Sequence, residues 1–162
     1  MIKFHGKQSV EIEGFRFEFV QELEPERDET GKIKEFRPQS HYKNKATCKL
    51  HDHGKGSFCE FTVCPTCKGR SGVYALFCGE KLLYVGKCID LYKRFRNGYG
   101  HIAPKNCYKG GRSTNCRVNK MILEECGKGK RITCFFHETS KYGAVETTLL
   151  ETLDTPWNIK KR

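Results

Sequence analysis

Tyr74, Arg94 and Glu146 are side chains whose chemistry suits one reaction. Tyr74 closes the triplet Gly72-Val73-Tyr74, and Tyr84 opens a mirrored triplet, Tyr84-Val85-Gly86. Arg94 follows in Asp90-Leu91-Tyr92-Lys93-Arg94, and Glu146 opens a stretch that closes on Pro156-Trp157-Asn158. Hydrolysis of a phosphodiester needs an activated water, neutralised charge on the equatorial oxygens and a stabilised leaving alkoxide. Glu146 offers a hard oxygen for one Mg2+ or Mn2+, and Mg2+ keeps most of its waters around so few carboxylates. Arg94 offers a fork of donors to the scissile phosphate. Tyr74 or Tyr84 can accept the proton of the attacking water if Lys87 and the metal acidify its phenol. Taken singly, a strand tyrosine usually packs and a helical arginine or glutamate is usually solvated, so the case rests on their joint order and spacing.

Charge points to the same kind of substrate. Thirty Lys and Arg against nineteen Asp and Glu leave a formal net charge of +11. Such a balance favours a polyanionic partner, and DNA is the expected one. No apolar run approaches the ~20 residues that would cross a bilayer, so no membrane partner is expected. Ten cysteines would suggest disulfides in a secreted chain, but Met1 to Lys7 shows no apolar signal core. Reduced thiols in the cytoplasm are the expectation.

The elements that would position these residues follow from pattern. Phe15, Phe17 and Phe19 alternate with polar neighbours up to Leu23, and Ile33 to Phe36 follow a charged turn, which predicts an N-terminal β-hairpin within residues 1–40. Residues 41–70 are rich in Lys, Gly, Cys and His, and read as an insertion stapled by metal. Residues 71–162 carry the candidate catalytic residues. There, 73–78 and 82–85 form a hairpin; a three-residue loop Gly79-Glu80-Lys81 puts Val73, Ala75, Phe77, Leu83 and Val85 on one apolar face and both tyrosines on the other. Asp90 is placed to cap a helix carrying Leu91, Arg94 and Phe95. Ser113 or Thr114 caps a second helix with Val118, Met121, Ile122 and Cys126 inward, Arg117 and Lys120 outward, and Gly127 at its end. Ile132 to Phe136 reads as a third strand, and Ser140 as the cap of a last helix striped by Tyr142, Val145, Leu149 and Leu153.

The insertion has its own signal. Cys64-Pro65-Thr66-Cys67-Lys68-Gly69 spaces two thiolates to grip one ion around a turn that glycine lets close. Tetrahedral Zn2+ would take four of Cys48, His51, His53, Cys59, Cys64 and Cys67, in a structural role.

These features together resemble the GIY-YIG nuclease family. Its members show a Gly-x-Tyr strand, a Tyr-x-Gly strand about ten residues on, an arginine in the following helix and a distal glutamate before an asparagine. Gly72, Tyr74, Tyr84, Gly86, Arg94, Glu146 and Asn158 match. The resemblance implies an α+β fold, with a small core built on a three-stranded antiparallel sheet flanked by helices. To that core this chain would add the N-terminal hairpin and the zinc-stabilised insertion. It also implies Tyr74 as general base, Arg94 as phosphate stabiliser, Glu146 as ligand of the single catalytic metal, Asn158 as a supporting residue and Lys87 as a match to a lysine of several members. Glu151 stands in if Glu146 points away. Where many members carry a His or Tyr four residues after the arginine, this chain has Gly98, and Tyr99 and His101 are the nearby substitutes.

The implied activity is divalent-metal-dependent DNA endonuclease cleavage, of a site-preferring restriction or phage type. Under it Lys105, Lys109, Arg112, Arg117 and Lys120, with Lys160, Lys161 and Arg162 of the tail, would contact phosphates. Double-strand cleavage would need a second protomer or a second encounter. The competing expectation is a zinc-containing nucleic-acid-binding protein that has lost the chemistry.

Overall fold

The computed structural model describes residues 1–159. The chain divides into two compact units: one formed by Met1–Leu23, Val63–Tyr92 and the segment from Arg131, the other by Glu24–Thr62 and Lys93–Lys130.

The first unit is built on one antiparallel sheet in the order β1-β2-β3-β6-β4-β5. The strands are β1 (Ile2–His5), β2 (Ser9–Ile12), β3 (Phe15–Leu23), β4 (Gly72–Cys78), β5 (Lys81–Cys88) and β6 (Ile132–Glu138). Six strands replace the expected three because the N-terminal segment joins the sheet. Ile12 pairs with Phe15 across Glu13 and Gly14, whose φ angles of 49° and 83° give the turn the twist a tight hairpin needs. The aromatic alternation of β3 thus finds β2 on one side and β6 on the other. Ile33 to Phe36 do not form the expected hairpin with it, and make only the single bridges Arg27 to Ile33 and Phe36 to Phe58.

The β4–β5 hairpin also differs from expectation. Cys78 pairs with Lys81, leaving a two-residue Gly79-Glu80 turn, and the register shifts between Leu76 and Phe77. A two-residue turn alone would send the tyrosines to opposite faces. The bulge adds one residue on β5, restores the parity and returns Tyr74 and Tyr84 to a common face. Its price is that Leu82, rather than Leu83, joins Val73, Ala75, Phe77 and Val85 on the apolar face, while Leu83 is buried elsewhere.

That core packs Val10, Ile12, Phe17, Val73, Ala75, Phe77, Leu82, Val85 and Phe135 against Val145 and Leu149 of a helix, α3 (Tyr142–Thr152). Tyr142 and Leu153 flank the contact, as their spacing predicts. Ser140 does not cap α3; Lys141 stands at the cap position and no side chain caps the helix.

A short helix, α1 (Leu91–Arg94), carries the chain from the first unit into the second and passes into a π turn, Phe95–Tyr99. The other helix, α2 (Ser113–Gly127), runs to the glycine that the pattern marks as its end. The apolar residues of 41–62 are too few to make a core by themselves. Phe58 instead packs with Ile102, Cys107, Tyr108 and Cys116, with Tyr42, Cys48 and Leu50 against them. Among the described residues no helix is long and apolar enough to cross a membrane.

If the N-terminal strands belong to the same core as the motif strands, Phe17→Ala, which empties a fully buried site, lowers unfolding stability by ~3–5 kcal/mol in urea titration. A cost below ~1 kcal/mol would show that β3 is an appendage.

Candidate active site

The site in the first unit is built on the outer strand, β5. Tyr74 pairs directly with Gly86, and a Cβ placed on Gly86 would lie 2.3 Å from the Tyr74 hydroxyl. The missing side chain is what lets the phenol reach across β5. Tyr84 lies diagonal to Tyr74 on the same face, with ring centroids 6.2 Å apart. Both rings are buried, Tyr74 at 1% and Tyr84 at 6% exposure.

As the last strand of the sheet, β5 has outward backbone groups to satisfy. The C-terminal segment meets those of two residues. The Leu83 carbonyl accepts the Trp157 N–H at 2.9 Å. Asn158 accepts the Val85 N–H through Oδ1 and donates to the Val85 carbonyl through Nδ2, both at 2.9 Å. On α3, Glu146 lies near Lys87, which follows the residue that the Tyr74 hydroxyl crosses.

Its side chain is 20% exposed, with the Lys87 ammonium 4.0 Å away. Burial pushes the Glu146 carboxyl above its usual range, and the Lys87 ammonium and N–H pull it back in part. A buried carboxylate of this kind gains from a divalent cation, and one hard oxygen suits an ion that retains waters. Glu151, five residues along α3, is exposed.

Arg94 belongs to the second unit. Its Nη1 donates to Asn115 Oδ1 at 2.8 Å, its Nη2 donates to the Tyr99 hydroxyl at 2.6 Å, and its guanidinium lies 4.1 Å from the Tyr99 ring centroid. One turn along α2, Asn119 accepts the Cys59 N–H and donates to the carbonyls of Cys59 and Tyr99. His101, exposed, has its Nδ1 3.3 Å from the half-buried Glu60 carboxylate. Sequence reasoning missed Asn115 and Asn119. Their signal was two asparagines four residues apart bordering the inward stripe of a helix, where polar side chains need buried partners.

The candidate zinc ligands fall in both units. Cys64 and Cys67 flank one short turn of the first unit. The Thr66 hydroxyl holds the exposed Cys64 thiol below its usual range, and burial raises that of Cys67. In the second unit His51 accepts the His53 N–H through Nδ1 and bonds the Asn106 carbonyl through Nε2. Burial, then the nearby Arg117, lowers the His53 pKa. Cys48 packs against the Phe58 cluster. Cys59 is fully buried, and burial pushes its thiol up to about 12. Among the described residues no group of three or more His, Cys, Asp or Glu lies together as a metal cage.

Of the basic candidates, Lys105, Lys109 and Arg112 line a polar cavity of about 310 Å³ with Tyr42, Asn106 and the Gly110-Gly111 pair. Lys120 donates to the Lys55 carbonyl and lies 5.3 Å from the Phe58 ring centroid. Arg117, read from the sequence as outward, is buried, with Nη1 3.8 Å from Met121 Sδ. Lys160, Lys161 and Arg162 lie outside the described residues.

No family model, curated protein or solved structure matches this chain. Its own residues carry the functional reading.

Two outcomes follow from the β5 geometry. Gly86→Ala displaces the Tyr74 hydroxyl and costs ~1–3 kcal/mol by overpacking, read as a lower urea midpoint; an unchanged midpoint would mean that the Tyr74 ring moves freely. The raised Glu146 pKa means that the folded chain holds its proton more tightly than the unfolded chain, so stability falls as pH rises from the unfolded value through the folded one. Glu146→Gln, which keeps an acceptor for Lys87, is therefore more stable than wild type at neutral pH in metal-free buffer. The difference fades in thermal melts below the ordinary glutamate range, about pH 4.3.

Proposed function

We propose that this chain is a divalent-metal-dependent DNA endonuclease working by GIY-YIG-type chemistry. One observation carries the reading: Gly86 lets the Tyr74 hydroxyl lie across β5, and the Glu146 carboxylate stands 4.0 Å from the ammonium of Lys87, the next residue of that strand. A base and a hard anionic ligand are what hydrolysis at a phosphate requires.

Glu146 would hold a single Mg2+ or Mn2+, whose charge neutralises the phosphate oxygens. Tyr74, or Tyr84 beside it, takes the proton of the attacking water. Lys87 supplies a positive charge 4.0 Å from the carboxylate. Asn158 keeps β5 in register with the C-terminal segment and so keeps residues 86 and 87 where the chemistry needs them. Arg94 binds the scissile phosphate through its fork of donors. Lys105, Lys109 and Arg112 contribute non-specific attraction to the DNA backbone. One such centre cuts one strand, so a double-strand break draws on a second protomer or a second encounter.

The test is conversion of supercoiled plasmid to nicked and linear forms in Mg2+. Wild type cuts, and Glu146→Ala does not. Arg94→Ala is slower by ~100-fold or more, the scale of losing one transition-state donor. Tyr74→Phe and Tyr84→Phe show which phenol is the base. If wild type binds DNA but cuts no substrate in Mg2+ or Mn2+, the chain is a nucleic-acid-binding module instead.

A further inference from the structure

A guanidinium that must meet a phosphate works best when its plane is set beforehand, because a mobile arginine loses rotamer freedom on binding. Arg94 is held this way within the second unit. We propose that Asn115 is a positioning residue for Arg94, which with Tyr99 orients the guanidinium toward the phosphate of a DNA substrate; this rests on the nuclease reading of Arg94.

Three features of the fold produce the arrangement. The π turn after Arg94 is closed by the Gly100 N–H on the Phe95 carbonyl at 2.7 Å, so the turn contains one residue more than an α-helical one. The residue five positions on, Tyr99, then comes beneath Arg94, where an α-helix would present residue 98. Gly98 leaves the space, since a Cβ there would lie 3.0 Å from Arg94 Nη1 and 3.5 Å from Asn115 Oδ1. Finally, Asn119 bonds the Tyr99 carbonyl at 2.7 Å, so α2 holds both the arginine and the tyrosine under it.

The chemistry of the partners matters as much as their positions. Asn115 is 1% exposed, and a buried amide is costly unless bonded, so its contact with Arg94 is enforced by burial. Asn115 Oδ1 and the Tyr99 hydroxyl are neutral acceptors. They fix the guanidinium without cancelling its charge, which an aspartate at residue 115 would do.

The experiment is a double-mutant cycle on plasmid nicking with Asn115→Ala and Arg94→Ala. Asn115→Ala alone is expected to lower kcat by roughly 10-fold, as a misoriented catalytic group does, with KM for DNA changed less than about 2-fold. In the Arg94→Ala background the same substitution costs nothing further. An equal loss in both backgrounds overturns the proposal, because Asn115 would then act on the fold and not through Arg94. If Asn115→Ala does not fold, Asn115→Leu, which fills similar space without an acceptor, is read the same way.

A second readout separates this inference from the nuclease reading. In 15N-arginine-labelled protein without DNA, the Arg94 side-chain N–H signals should be resolved in wild type and exchange-broadened in the Asn115 variant. Should wild type prove unable to cut DNA, the nuclease reading fails while this comparison still decides the clamp. Signals unchanged by the substitution overturn it.

Discussion

An outermost strand carries backbone donors and acceptors that no neighbouring strand completes, and β5 is such a strand. Its edge is closed at Leu83 by the Trp157 N–H and at Val85 by the Asn158 amide. These contacts fall two residues apart, the period at which a strand's outward groups recur. Two residues further along, the Lys87 ammonium stands 4.0 Å from Glu146. The strand whose edge must be closed is therefore also the strand that carries the candidate site.

The opposite requirement governs the inside of the hairpin. Tyr74 can lie across Gly86 only because glycine has no Cβ, and the tyrosines share a face only because the bulge at Leu82-Leu83 corrects the parity of a two-residue turn. The first condition is local and chemical. The second is a property of the pairing between strands, with β6 holding β4 in register on its other side.

In the second unit the corresponding constraint is a turn wound one residue wide. The π turn and Gly98 let Tyr99 stand under Arg94, while α2 supplies Asn115 and Asn119 one turn apart. Two buried asparagines tie this widened turn to α2, Asn115 through Arg94 and Asn119 through the Tyr99 carbonyl.

Much of the local structure was readable from residue types. The alternation of β3 and β4, the Gly127 stop of α2 and the apolar stripe of α3 follow from periodicity and from backbone preferences, which act over a few residues. So do the residue types on which the proposed function rests, since a carboxylate, a guanidinium and a phenol are recognisable in the chain before it folds. What the tertiary structure decided was pairing. It determined that β3 takes β2 and β6 as neighbours instead of Ile33 to Phe36, that Leu82 rather than Leu83 joins the apolar face of the β4–β5 hairpin, and that Glu146 rather than Glu151 meets Lys87. It also gave Arg94 its two partners, Tyr99 and the distant Asn115. Each of these depends on which segment fills an edge or a cavity left by another. That competition is between residues far apart in the chain, and no local pattern encodes its outcome.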